Sequence, residues 1–594
     1  MNKRSKARPR LNYVYSALVA STAALAAGAV GAQQVNANGT AVDIPANTTI
    51  DTGTTGGVAG NAIRVQNGGS VTALGPITII TGGNAAQAVV VTGSAGGGGI
   101  ISLEQGGSIT TTGDVVAYGL VAAGDGSKAG TIRGRGLTIN TSGTSALASR
   151  GGSVILVNSD LVSSQGFGFH ALGTNALGDV TTIHGTDVSV ATSSGQAVEA
   201  YGYATVLLDT SQRAANTITA KTGEGILAQQ HGVVQTTGGL MVSAAGANTA
   251  GVRARSAGQV RITGSGASSS KIETTGSGSS GLNATDAGSS IVASGLTVST
   301  ANTQARGAFA ASGGNIALSD SVITTVGDDS RAVNASGTGS VVTATGVQAS
   351  TQGARAHGAY AQSAGSITLD NSSLSTTGAN AHGVFAQLTD AVVNATAVKI
   401  TTTGQDAHGA DALTGAKVVI NGASNITTSG INGVGLIAEV DTTPAVADTV
   451  LTFNGAAGAS VTTSGDFAHA ALACTRLSSG PGCAIGTSNA DVPTGTGSRA
   501  VVNVSNATLS TTGASAYGLF AWGSSAELNA SAVDVSTGGA NAHASVARNG
   551  GTLAVAGSTL NTTGANAAAV YTTGPAGVTS TINLSDSTLT TVQG

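Results

Sequence analysis

The feature that most restricts what this chain can become is a short phrase that keeps returning. Thr376-Thr377-Gly378, Thr402-Thr403-Gly404, Thr428-Ser429-Gly430, Thr511-Thr512-Gly513 and Thr562-Thr563-Gly564 each carry an aliphatic residue four places before the glycine: Leu374, Ile400, Ile426, Leu509 and Leu560. Aligned on that glycine, Asn302, Gly327, Gly353, Gly378, Gly404 and Gly430 are separated by 25, 26, 25, 26 and 26 residues, and Gly513, Gly539 and Gly564 by 26 and 25. Self-similarity at a fixed period of this size marks stacked supersecondary units.

Residues 374–400 give one unit in full: an aliphatic strand, the Thr-Thr-Gly corner, Ala381 three places on, the short apolar stretch Gly383 to Ala386, and an alternating strand from Ala391 to Ile400. β-Branched residues alternate with small polar ones and no stretch carries an amphipathic helical period. Composition removes the competing classes. Disorder is opposed by 41% hydrophobic residues with 7 prolines, and collagen by the lack of glycine at every third position. The chain is therefore expected to be all-β, a right-handed parallel β-helix (solenoid) of about 25–26 residues per coil, with three short strands per coil. Stacking about 4.8 Å apart would align Leu374, Ile400 and Ile426 in an internal ladder and stack the threonines.

The first residues concern transport. Lys3, Arg4, Lys6, Arg8 and Arg10 precede a small, apolar run from Tyr13 to Ala27, and Val30-Gly31-Ala32 suits signal peptidase, so residues 1–32 read as a signal peptide cleaved after Ala32. Its loss removes five basic and no acidic groups, leaving 19 basic against 28 acidic and a formal charge of −9. Nucleic acid is an unsuitable partner for such a chain.

Residues 33–112 keep the composition without the spacing and are expected to hold an N-terminal cap and first irregular coils, with the β-helix proper over 113–594. Gly430 to Gly465 spans 35 residues, which places a loop insertion near 441–448; Gly465 to Gly513 spans 48, either two short coils or one coil plus a loop, and the prolines and glycines of 474–496 favour a loop there. That segment contains both cysteines of the chain. Cys474 and Cys483 flank Ser478-Ser479-Gly480-Pro481-Gly482; in an exported protein they read as a disulfide closing a small loop. Free thiols or a metal pair are the alternatives, without Cys-x-x-Cys spacing to support them.

A basic-start signal followed by Gly/Ser/Thr/Asn/Ala-rich coils, nearly cysteine-free apart from one closely spaced pair, resembles the passenger domains of Gram-negative autotransporters, the pertactin-like ones in particular. The resemblance covers nearly the whole chain and rests on composition and the Thr-Thr-Gly-x-x-Ala-x-Gly type of unit. It implies type V secretion to the cell surface, the outer membrane or the medium. It also implies an outer-membrane translocator barrel, but the chain stops at Thr590-Thr591-Val592-Gln593-Gly594 within repeat-like sequence. An isolated passenger, a truncated reading frame or a fragment is the corresponding expectation.

Histidines carry the most chemical information. His170, His357, His382, His408, His469 and His543 all lie four residues after the aligned glycine. Stacked imidazoles offer zinc or copper ligands; the plainer reading is a corner that accepts any bulky polar residue, since Arg306, Arg331 and Tyr517 share the phase. Gly327-Asp328-Asp329 resembles the paired acids of β-helical pectin-degrading hydrolases, yet no further carboxylates converge on it in the sequence, and a solvated turn is the simpler account. Gly276-Ser277-Gly278-Ser279-Ser280-Gly281 matches a dinucleotide-binding pattern but has no helix after it. No enzyme activity, cofactor or metal is expected. The expected role is an adhesin or host-interaction protein presenting loops to host-cell surfaces, extracellular matrix, glycans or other bacteria. A surface polysaccharide-active enzyme and a self-associating stalk are the alternatives.

Overall fold

The computed structural model describes residues 35–53, 61–83, 85–94, 96–125, 128–174, 180–264, 270–440, 447–475, 483 and 497–592. The signal segment, with Ala32, lies outside them. The described residues form 58 strands and no α-helix, and every strand pairing is parallel, as in Ala359–Gln362 with Val384–Gln387 or Ser373–Thr376 with Lys399–Thr402. One coil consists of three strands, for example Ala359–Gln362, Ser366–Asp370 and Ser373–Thr376, called here the first, second and third faces. First-face strands stack into a sheet of 20, and the other two faces into a connected sheet of 38. The molecule is a β-solenoid of about 20 turns, on the order of 100 Å long at about 4.8 Å per turn.

The expected aliphatic row is present. Leu374 stands beside Ile400, and Ile400 beside Ile426; all three are buried in one continuous core with Val384, Val393 and Val398. Each coil covers the next, so burying an aliphatic side chain is worth roughly 1.5–3 kcal/mol only where a neighbour lies above and below.

The corner phrase has a definite job. Thr376 and Thr402 are in register along the rod, but their hydroxyls bond within their own coils: Thr376 Oγ1 donates to the Ala381 carbonyl at 2.5 Å and Thr402 Oγ1 to that of Ala407 at 2.8 Å. The threonine thus closes the turn across five residues. The following glycine is required for closeness: a Cβ on Gly378 would lie 1.9 Å from the Gly353 carbonyl oxygen of the preceding coil. Left-handed backbone falls two residues later, at Asn380 (φ 54°) and Asn432 (φ 58°), a conformation asparagine tolerates.

Paired strands are present among the described residues from 35 to 112. Val35–Asn38 pairs with Ile63–Gln66, and Gly107–Thr112 pairs both with Ile77–Gly82 and with Leu137–Thr141, so the ladders cross residue 112 unbroken. Further along, Val461 stands beside Leu509 and Ala471–Thr475 pairs directly with Leu519–Trp522. Only one coil therefore separates Gly465 from Gly513, and the surplus residues follow Thr475 in sequence.

Candidate functional site

The outer side of the first face is where this rod departs from simple repetition. Tyr360, Phe385, Asp411, Ile437, Leu472 and Phe520 succeed one another in register and point away from the core, yet all are buried. Bulky side chains from the corner before each strand fold over them.

Those corner side chains include most of the histidines. His357 Nδ1 accepts the backbone N–H of His382 at 3.0 Å, His382 Nδ1 that of His408 at 2.9 Å, and His408 Nδ1 that of Val434 at 3.1 Å. The pattern resumes with His469 and Tyr517, and with His543 and Ala568. Ring centroids are 4.9 Å apart between His357 and His382 and 4.7 Å between His382 and His408. An imidazole that accepts at Nδ1 carries its proton on Nε2. Burial pushes His357 down to about 3, with Arg331 adding to the effect, and His469 likewise to about 3. His382 is driven well below the usual value by burial and by its two histidine neighbours. These imidazoles are neutral, and each links its coil to the next.

This chemistry bears on metal binding. Donor atoms of His382, His408 and Asp411 lie within 4.8 Å of one another, and His382 Nε2 is 3.6 Å from Asp411 Oδ2. Both Nδ1 atoms are occupied by backbone N–H groups and both Nε2 atoms carry protons, so the arrangement suits hydrogen bonding better than ligation.

His170 is a correction. It shares the spacing but stands beside Leu147 and Glu199 in the outward column of the strand itself, not at the corner. Its coil is tighter: four residues separate Gly166 from this column, against seven from Gly353 to Tyr360. His170 Nε2 lies 3.5 Å from Glu199 Oε2. Burial lowers His170 to about 4 and raises Glu199 to about 7, so near pH 6 this is a contact between neutral groups. The Gln229 amide donates to Glu199. No sequence signal marked Glu199, because a lone acid in an alternating strand looks solvent-exposed.

The two surplus segments share an attachment point. Leu436–Val440 pairs with Ala471–Thr475 on neighbouring coils, and each is followed in sequence by one of the segments, so both fall between a first-face and a second-face strand. Of 441–448 and 474–496, only residues 447, 448, 474, 475 and 483 fall within the described residues. Cys474 and Cys483 form a disulfide, packed with Ile437, Leu472, Phe520 and Trp522. At the returning ends Arg499 Nη2 meets Asp448 Oδ2 at 2.8 Å and Arg499 Nη1 meets Glu527 Oε2 at 2.7 Å.

The two adjacent acids bond to the next coil. Asp329 is engaged by Arg355 through two hydrogen bonds of 2.9 and 2.8 Å, while Asp328 Oδ1 accepts the Ala354 N–H at 2.9 Å. Both tie one corner to the next. A cleft of about 460 Å³ between Asn503, Ser505, Asn529, Ser531, Asn583 and Ser585 has amides and hydroxyls in its walls and no carboxylate. Gly276 to Ser279 form a corner between the strands Ser270–Thr274 and Ser280–Thr285, and Ser280 and Gly281 begin the second strand, with no helix to receive a phosphate.

No protein-family model matches this sequence, and no curated protein matches it. Among solved structures, the chain is similar to one in the cryo-EM structure of the Vag8–C1 inhibitor complex, at 16% identity and a TM-score of 0.35, over 92% of this chain and all of that one.

Proposed function

We propose that this protein is an exported β-helical passenger whose work is attachment, carried out where the two surplus segments join the rod. The observation behind this reading is their common origin at one turn of adjacent coils, anchored by the Cys474–Cys483 disulfide and by the Arg499–Asp448–Glu527 ion pairs. A stiff solenoid holds that corner at a fixed place far along the rod, and weakly charged polar faces suit many small contacts that sum through avidity. The basic-start leader and the resemblance to autotransporter passengers support export to the cell surface, with host surfaces, matrix, glycans or other bacteria as partners.

Bacteria displaying residues 33–594 test this directly. Adherence to host cells is expected, and it should fall when residues 441–446 and 484–496 are replaced by short Gly-Ser linkers. Undiminished adherence would remove those segments from the role. Aggregation of the bacteria without host binding would favour a self-associating stalk, and turnover of a polysaccharide lost on Asp328→Asn would favour an enzyme.

A further inference from the structure

The corner column changes character in the coils before the histidines. At the same phase stand Arg306 and Arg331, one coil apart. Each guanidinium sits over an aromatic ring of the outward column, with Arg306 Cζ 4.4 Å from the Phe309 centroid and Arg331 Cζ 4.5 Å from that of Tyr360. Both are only partly exposed, and each Nε is buried without a hydrogen-bond partner among the described residues. Neither guanidinium has an ion pair there. The nearest acid to Arg331, Asp329, has both oxygens engaged by Arg355.

Arg306 has only burial and the like charge of Arg331 acting on it, while Arg331 feels Asp329 without an ion pair to it; two like charges in partial burial with so little compensation repel and are poorly solvated. The histidine coils avoid this by offering Nδ1 to the next coil's N–H. A guanidinium has five donors and no acceptor, so the arginine coils present only donors. Planar forks in this setting match an oxyanion, whether sulfate or carboxylate.

We propose that Arg306 and Arg331 form an anion-recognition subsite on the first face, and that its ligand is an acidic polysaccharide held through a sulfate or carboxylate group between the two forks. A polymer running along the rod meets a new coil about every 4.8 Å, and Gln304, exposed two residues before Arg306, offers an amide to sugar hydroxyls. Nucleic acid is a poorer fit, because the aromatic faces on which bases would stack are already covered by the guanidiniums. Two cations on a chain of formal charge −9 anchor one or two anionic groups, not a dense polyanion track.

This assignment rests on the reading of the chain as an exported attachment protein, but its test needs no cells. Purified residues 33–594 are titrated calorimetrically with heparin, polygalacturonate, dextran and inorganic sulfate. Heparin and polygalacturonate are expected to bind and dextran not to. Arg306→Gln and Arg331→Gln should each weaken binding roughly tenfold, the usual size for losing a charge-assisted contact, while Arg499→Gln leaves it unchanged. Circular dichroism checks folding, and Arg331→Lys, which keeps the charge without the fork, should fall between. Equal binding by wild type and both Gln variants, or equal affinity for dextran, would overturn the proposal. Stabilisation by sulfate with no polysaccharide binding would overturn the polysaccharide assignment. Cell adherence that survives such a failure would leave the attachment role standing.

Discussion

Two stretches of one column, Arg306 and Arg331 against His357, His382 and His408, occupy the same phase of the coil and solve the same problem differently. Each must fold a bulky polar side chain over the outward face of a buried strand. The imidazoles stay neutral and hand Nδ1 to the next coil; the guanidiniums stay charged and cover their aromatic neighbours with donors left over. Polar residues on a repeat can therefore be internal fasteners or open sites, and the difference lies in whether they own an acceptor.

Acid should break the histidine side of this comparison most strongly. A buried imidazole held at about 3 or 4 binds a proton more readily in the unfolded chain, where its value is near 6.5. Its contribution is complete above about pH 6.5 and declines as pH falls towards the folded value. Each such group then subtracts about 1.4 kcal/mol per pH unit through that window, so several together should lower the melting temperature sharply between pH 6.5 and 4. Glu199 opposes this. Raised to about 7, it favours the folded state at low pH and loses that contribution as pH rises through 7, but one acid does not offset several imidazoles. Constant stability from pH 6.5 to 4 would mean the column is not neutral and buried.

Next in size is the backbone that brings the column together. Gly378→Ala places a methyl 1.9 Å from a carbonyl oxygen and should destabilise by about 3 kcal/mol or more. Asn302→Ala, at the equivalent corner of the Arg306 coil, already has a Cβ to accommodate and should cost about 1 kcal/mol or less when both variants are unfolded in urea. Similar losses at both would show that corner closeness is uniform along the rod.

Smaller again is His382→Ala, which leaves the His408 N–H without its acceptor and opens a gap in the ring stack; about 2–3 kcal/mol is expected. Zinc should not raise the melting temperature of the wild type, because each Nδ1 is occupied. A zinc-dependent rise abolished by His382→Ala would turn the fastener into a metal site. The smallest effect has the opposite sign. Arg306→Gln should stabilise the free protein slightly, by less than about 1 kcal/mol at low salt, since burial and then the charge of Arg331 disfavour its own charge.

Much of the architecture was readable from spacing. The row Leu374–Ile400–Ile426 followed from the period, because aligned residues of successive coils must be neighbours. The threonine at the corner was visible, but its bond to the carbonyl five residues on was not, since that depends on how tightly the turn folds. His170 misled because equal spacing does not guarantee equal place when a corner is shortened. The cysteine pair was legible from its separation. The shared origin of the two surplus segments needed the strand pairing, which shows that one coil, not two, lies between Gly465 and Gly513.

The amino-acid sequence alone determined the repeating unit, its all-β character and the phase at which polar corner residues recur, because a period of 25–26 residues admits stacking of like on like. Only the tertiary structure decided which of those residues are satisfied. The partner of each lies a whole coil away along the axis, and whether a donor there finds an acceptor depends on burial and stacking distance between coils, quantities that no single repeat contains.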